Sequence, residues 1–159
     1  MSTPALIAFE GDPAYSMAFI RLNYDGDPAC AGALLARHYA RADLASALVA
    51  LGDLSTLGPR LAPAEGEAHS FNAPAEGVVV AYRRDRGETG VGCKFAADAV
   101  GLYERARMVG ADWAYLWRGE GWWATPVKGA RPAWTRLGAF HTAPAGTPMC
   151  PPQFPGDPA

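Results

Sequence analysis

Between residues 78 and 94 the chain reads VVVAYRRDRGETGVGCK, three arginines around one aspartate followed by three glycines within six residues. Arg83, Arg84 and Arg86 supply guanidinium forks, which hold phosphate or carboxylate oxygens two bonds at a time. A glycine-rich turn leaves backbone N–H groups free to point at an anion. The chemistry this stretch predicts is the binding of a small anion. The plainer alternative is a solvated strand end at which Asp85 pairs an arginine for little energy.

The glycine half fails as a nucleotide-triphosphate loop. Cys93 separates Gly92 from Lys94, and Phe95 stands where a hydroxyl would hold magnesium. Asp25, in Tyr24-Asp25-Gly26, is the other candidate. It either shapes the turn, as Asp before Gly usually does, or accepts hydrogen bonds from ligand hydroxyls with Tyr24 or Asn23 alongside. The candidate ligand-binding set is therefore Tyr24, Asp25, Arg60, Arg83, Arg84 and Arg86. His38, His69 and His141 have no metal-ligand spacing and no nucleophile signature appears, so no metal or cofactor is expected; no pair of carboxylates is fixed by the sequence, and acid/base chemistry is neither indicated nor excluded.

Net charge is −2, which gives no electrostatic case for binding long nucleic acid. The charge is uneven. Residues 1–76 carry four Lys/Arg against nine Asp/Glu, and residues 77–159 carry ten against seven, so an anion site is expected in, or bordered by, the second half. Three widely spaced cysteines read as free thiols in a reducing compartment. The start has no basic region and only a short apolar run, and no stretch reaches membrane-spanning length; a cytoplasmic protein with no membrane partner is expected.

The elements that must position these residues fit a single α+β domain over residues 1–142, with a mainly antiparallel sheet and about three helices. Residues 4–9 and 15–24 read as strands, and 28–39 and 42–51 as helices, the first opening on Asp27-Pro28. Residues 54–67 read as loop and 69–72 as a short edge strand. The unalternating run 78–82 predicts a central strand covered on both faces. Residues 95–109 predict a third helix, and 113–117 with 122–127 a hairpin turning at Arg118-Gly119-Glu120-Gly121. From residue 143 six of seventeen residues are Pro, which predicts an extended or disordered tail.

Three motifs carry a resemblance: Tyr24-Asp25-Gly26 with a short helix ending in His38-Tyr39; the run ALVALGDLSTLG over residues 47–58; and AYRRDRGE over residues 81–88. Together they resemble a group of small phage and prophage proteins and, through it, the Thoeris anti-defence sponges, which sequester immune signals of the cyclic ADP-ribose type, some as oligomers that also hold cyclic oligonucleotides. The chain departs from that pattern at Asn23, Asp27 and Arg83. The resemblance implies a non-catalytic, homo-oligomeric trap for a nucleotide-derived anion, acting in a bacterial host cell against antiviral defence. The alternative is a protein that blocks a host protein through its tryptophan-rich hairpin.

Overall fold

The computed structural model describes residues 2–11, 17–129 and 131–140. The proline-rich tail lies outside them. Among the described residues eight strands form one mixed, mainly antiparallel sheet, accompanied by four α-helices, an α+β fold as expected.

The centre is β1 (Ala5–Phe9), with β2 (Met17–Leu22) antiparallel on one side and β6 (Trp113–Arg118) parallel on the other. A π-helical turn, Pro28–Gly32, capped by the Asp27 carboxylate, leads into α1 (Ala33–His38) and α2 (Ala42–Ala50). These cross one face of the sheet and deliver β3 (Leu54–Thr56) parallel to β2. β4 (Val80–Ala81) then forms the outermost strand, and α3 (Tyr82–Arg86) follows without a break. β5 (Lys94–Ala96) returns to the lower half of β2, and α4 (Ala99–Met108) covers the opposite face before β6. β7 (Gly121–Pro126) and β8 (Thr135–Arg136) complete the other edge.

Helices on both faces explain why β1 reads as an unbroken apolar run, since alternation is lost when neither face meets water. Ala5 and Ile7 pack with Ile20, Leu35, Leu48, Tyr115 and Trp122 on the α1/α2 side. Leu6 and Ala8 pack with Phe19, Leu102, Ala106 and Leu116 under α4.

Four local expectations change. The run at 78–82 yields only a two-residue edge strand, because Tyr82 already opens α3; the doubly covered strand is β1. Residues 54–56 are strand, because Asn23 and Tyr24 donate their N–H groups to Leu54 and Ser55. Residues 69–72 form no strand, and residues 94–96 are β5, with the helix starting after the Asp98 cap.

The expected hairpin is present, with Trp117 and Trp122 each 3% exposed and edge-to-face at 5.5 Å. Trp122 also donates its indole N–H to the Tyr39 carbonyl at 2.8 Å, tying β7 to the end of α1. Trp122→Ala is expected to cost about 3–5 kcal/mol in urea-denaturation free energy, because it opens a cavity and orphans that carbonyl. A cost below about 1 kcal/mol would show that the residue is not core.

Candidate functional site

α3 places the arginine burst on one turn of helix at the β3/β4 edge, where successive side chains diverge by about 100°. Asp85 turns inward and is 4% exposed. It accepts hydrogen bonds from Arg84 Nε at 2.8 Å, Arg84 Nη2 at 3.0 Å, the Ala81 N–H at 2.8 Å, and His69 Nε2 at 3.1 Å. Burial alone pushes its carboxyl up, but the bonds from Arg84, Ala81 and His69 together hold it below the ordinary carboxylate value.

His69 is equally buried, and its Nδ1 accepts the Ala75 N–H at 2.9 Å. With Nδ1 an acceptor, the imidazole is the neutral Nε2–H tautomer donating to Asp85. Both ring nitrogens are committed, so this carboxylate–histidine pair is a structural clamp.

Arg84 reaches further, donating to the Leu61 and Val79 carbonyls, each at 2.6 Å. Arg60 makes a two-pronged pair with Glu67 at 2.8 and 3.0 Å and donates to the Glu76 carbonyl at 2.6 Å. Through that pair and the Ala64 N–H, Glu67 is drawn down to about 2. Arg60 and Arg84 thus lace the irregular segment 57–79 to the sheet. Tyr39 adds a third tie by donating its hydroxyl to the Gly58 carbonyl at 2.6 Å, and burial pushes that phenol up.

Arg86 pairs with Glu88 at 2.5 Å and lies 4.4 Å from the Phe71 ring centre and 5.1 Å from that of Tyr82. Arg83 differs from the other three. It is exposed, and it forms no ion pair or hydrogen bond through its side chain to any described residue. Its Nη1 lies 3.9 Å from where a side chain on Gly92 would begin. That loop, residues 87–93, is held from below. The Asp53 N–H donates to the Val91 carbonyl at 2.7 Å, and Gly52, at φ +82°, lies so close beneath the loop that any Cβ there would collide with the Val91 carbonyl oxygen. The N–H groups of Thr89, Gly90, Val91 and Gly92 donate to no described residue. Lys94 borders the same loop, its Nζ 3.6 Å from Asp53 Oδ2 and its side chain half exposed. Asp53 Oδ1 accepts the Arg21 N–H at 2.9 Å, filling the gap between β3 and β5 along β2.

Asp25 lies elsewhere, whereas Tyr24, just past the end of β2, donates its N–H to the Ser55 carbonyl of β3 at 3.2 Å. Asp25 has a left-handed backbone (φ 56°) at the turn into the π-helical segment, and its neighbour Gly26 accepts the Tyr115 hydroxyl proton at 2.6 Å. Burial, then the nearby Asp27, raises its carboxyl. It belongs to the turn over β1 and β6, whereas the arginines belong to the β3/β4 edge. Asn23 bridges towards them by donating to the Tyr82 hydroxyl.

Lys94, Asp53 and the His69–Asp85 pair escaped the sequence reading. Their spacings of 41 and 16 residues form no motif, and only the Lys94 position next to a glycine loop was a signal. Trp117 and Trp122 are core side chains, so the hairpin does not offer them to a partner. Among the described residues no group of His, Cys, Asp and Glu is placed to hold a metal, Cys30 and Cys93 are not in disulfides, and no helix is long and apolar enough to cross a membrane. No protein-family model matches the chain, and comparison with curated proteins and with solved structures finds no match.

Asp85→Asn is expected to cost about 3 kcal/mol, since it breaks a buried pair from one side. In the wild type the Asp85 contribution is present above the unfolded carboxylate value near pH 4 and is lost as pH falls through the lower folded value. Denaturation free energy against pH should therefore fall less steeply below about pH 4 in Asp85→Asn than in the wild type. Parallel curves would remove Asp85 from that role.

Proposed function

We propose that this protein binds and sequesters a small anionic, nucleotide-derived ligand without transforming it, and that Arg83, Lys94 and the backbone of residues 89–92 hold the anion. One observation carries the reading: Arg83 has no internal partner among the described residues and stands over a glycine loop with four uncommitted N–H groups, beside an arginine cluster that is otherwise committed. Free guanidinium and amide donors converging on one surface are what phosphate oxygens require. Arg86, over the rings of Phe71 and Tyr82, flanks this surface with its remaining donors.

The resemblance of residues 22–88 to phage anti-defence sponges supplies the ligand class, cyclic ADP-ribose-type signals or cyclic oligonucleotides, and with it a role against host antiviral defence. It also supplies the expectation of an oligomer, which light scattering measures directly.

The test is to incubate the purified protein with cyclic ADP-ribose isomers and cyclic di- and trinucleotides, wash it, and heat it to recover ligand. Intact ligand in the heated supernatant is expected, with a rise in melting temperature corresponding to about 2.7 kcal/mol at a hundred times Kd. Arg83→Ala should weaken binding at least tenfold, with the unliganded stability within about 0.5 kcal/mol of wild type. Arg84→Ala should instead destabilise the free protein. No retention and no thermal shift with any of these compounds would refute the proposal, and recovery of a cleaved product would make the protein an enzyme.

A further inference from the structure

The opposite edge of the sheet carries a cluster that the anion surface does not use. On the α4 face a hollow of about 140 Å³ is lined by Leu116, Arg118, Trp123 and Trp134. Leu116 lies opposite Trp123, and Trp123 opposite Arg136, so register puts Arg136 on the same face of the sheet, beside the hollow and outside its lining. Leu116 is buried and forms the floor, while Trp123 and Trp134 are half-buried.

The Arg136 guanidinium carbon stands 5.7 Å from the centre of the Trp123 ring. It lies low over the hairpin because residue 121 is glycine; any side chain there would take the guanidinium's place. The Arg136 side chain makes a single hydrogen bond among the described residues, from Nη2 to the Glu120 carbonyl at a long 3.5 Å. Arg118, by contrast, is paired with Glu10. Neither Trp123 nor Trp134 donates its indole N–H to a described residue.

The geometry points to a second ligand site here, for a single planar aromatic ring that carries an anionic group. A void of about 150 Å³ holds one benzene-sized ring, so the hollow has room for one ring. Two indoles offer stacking or edge contacts and two free N–H donors to such a ring. The exposed Arg136 guanidinium, within cation–π distance of Trp123, has donors left for the anion. The site is distinct from the Arg83 surface. Five strand spacings separate β4 from β7, about 24 Å at roughly 4.8 Å each, and one small ligand cannot span that.

Uridine 5′-monophosphate and benzoate serve as probes, with uridine and inorganic phosphate as controls, followed by the indole N–H resonances in ¹H–¹⁵N spectra of the full chain. Either probe should shift the Trp123 and Trp134 signals while leaving those of the buried Trp117 and Trp122 in place. Uridine should bind about tenfold more weakly than its monophosphate for want of the charge-assisted contact, and phosphate alone should leave the indoles unmoved. Arg136→Gln should lower monophosphate affinity to that of uridine and leave uridine binding unchanged, a split that general unfolding would not give. Arg83→Ala should change nothing at this site, which separates failure here from failure of the anion surface. Unmoved Trp123 and Trp134 resonances with both probes at millimolar concentration, or equal monophosphate affinity in Arg136→Gln and wild type, overturns the proposal.

Discussion

A carboxylate taken out of water must be met by donors, and much of the β3/β4 edge is arranged to meet that of Asp85. Left alone, a buried charge of this kind costs several kcal/mol. Arg84, the Ala81 N–H and His69 satisfy it together, and each brings structure with it. Arg84 arrives with the carbonyls of Leu61 and Val79, and His69 with the backbone of Ala75. A segment without regular secondary structure between β3 and β4 is thereby held as firmly as an element. The same demand explains why the arginines of one helical turn differ. Arg84 is drawn inward by Asp85, and the helical rotation then leaves Arg83 facing out.

The sheet sets where binding chemistry can be. β1 is covered on both faces and flanked on both sides by β2 and β6, so the middle of the molecule offers only apolar side chains and satisfied backbone. Unspent polar groups are pushed to the edges, where α3 and the glycine loop close one side and β7 and β8 the other. That β2 shares its outer side between β3 and β5 creates the gap filled by Asp53, which in turn anchors both Arg21 and Lys94.

The fold was legible where local signals agreed. The Asp27-Pro28 start, the stripe of α2 and the alternation of the hairpin all led to elements of the expected type. Legibility failed where tertiary context decided. Residues 54–56 became a strand because the end of β2 offered them a partner, and the strand at residues 80–81 stops there because Tyr82 already opens α3. Within the candidate site, the sequence marked the correct stretch but could not rank its members. Which arginine is consumed internally depends on carbonyls 5 to 23 residues away, and no spacing rule encodes that.

Counting positive charge is for this reason a poor guide, and counting uncommitted donors is a better one. A guanidinium has five N–H donors. Arg84 gives its donors to Asp85 and two backbone carbonyls, so the excess charge of the second half of the chain is in part internal scaffolding, and Arg60 in the first half is likewise committed to Glu67 and the Glu76 carbonyl. Arg86 is divided between Glu88 and two aromatic rings. Arg83 has no internal side-chain bond among the described residues, and Arg136 has one long one. They stand at opposite edges of the sheet, one beside open backbone amides and the other beside two indoles, and the difference in their neighbours argues for different ligand chemistry at each. A bare phosphate oxygen is best met by the first, and a charged group borne on a flat ring by the second.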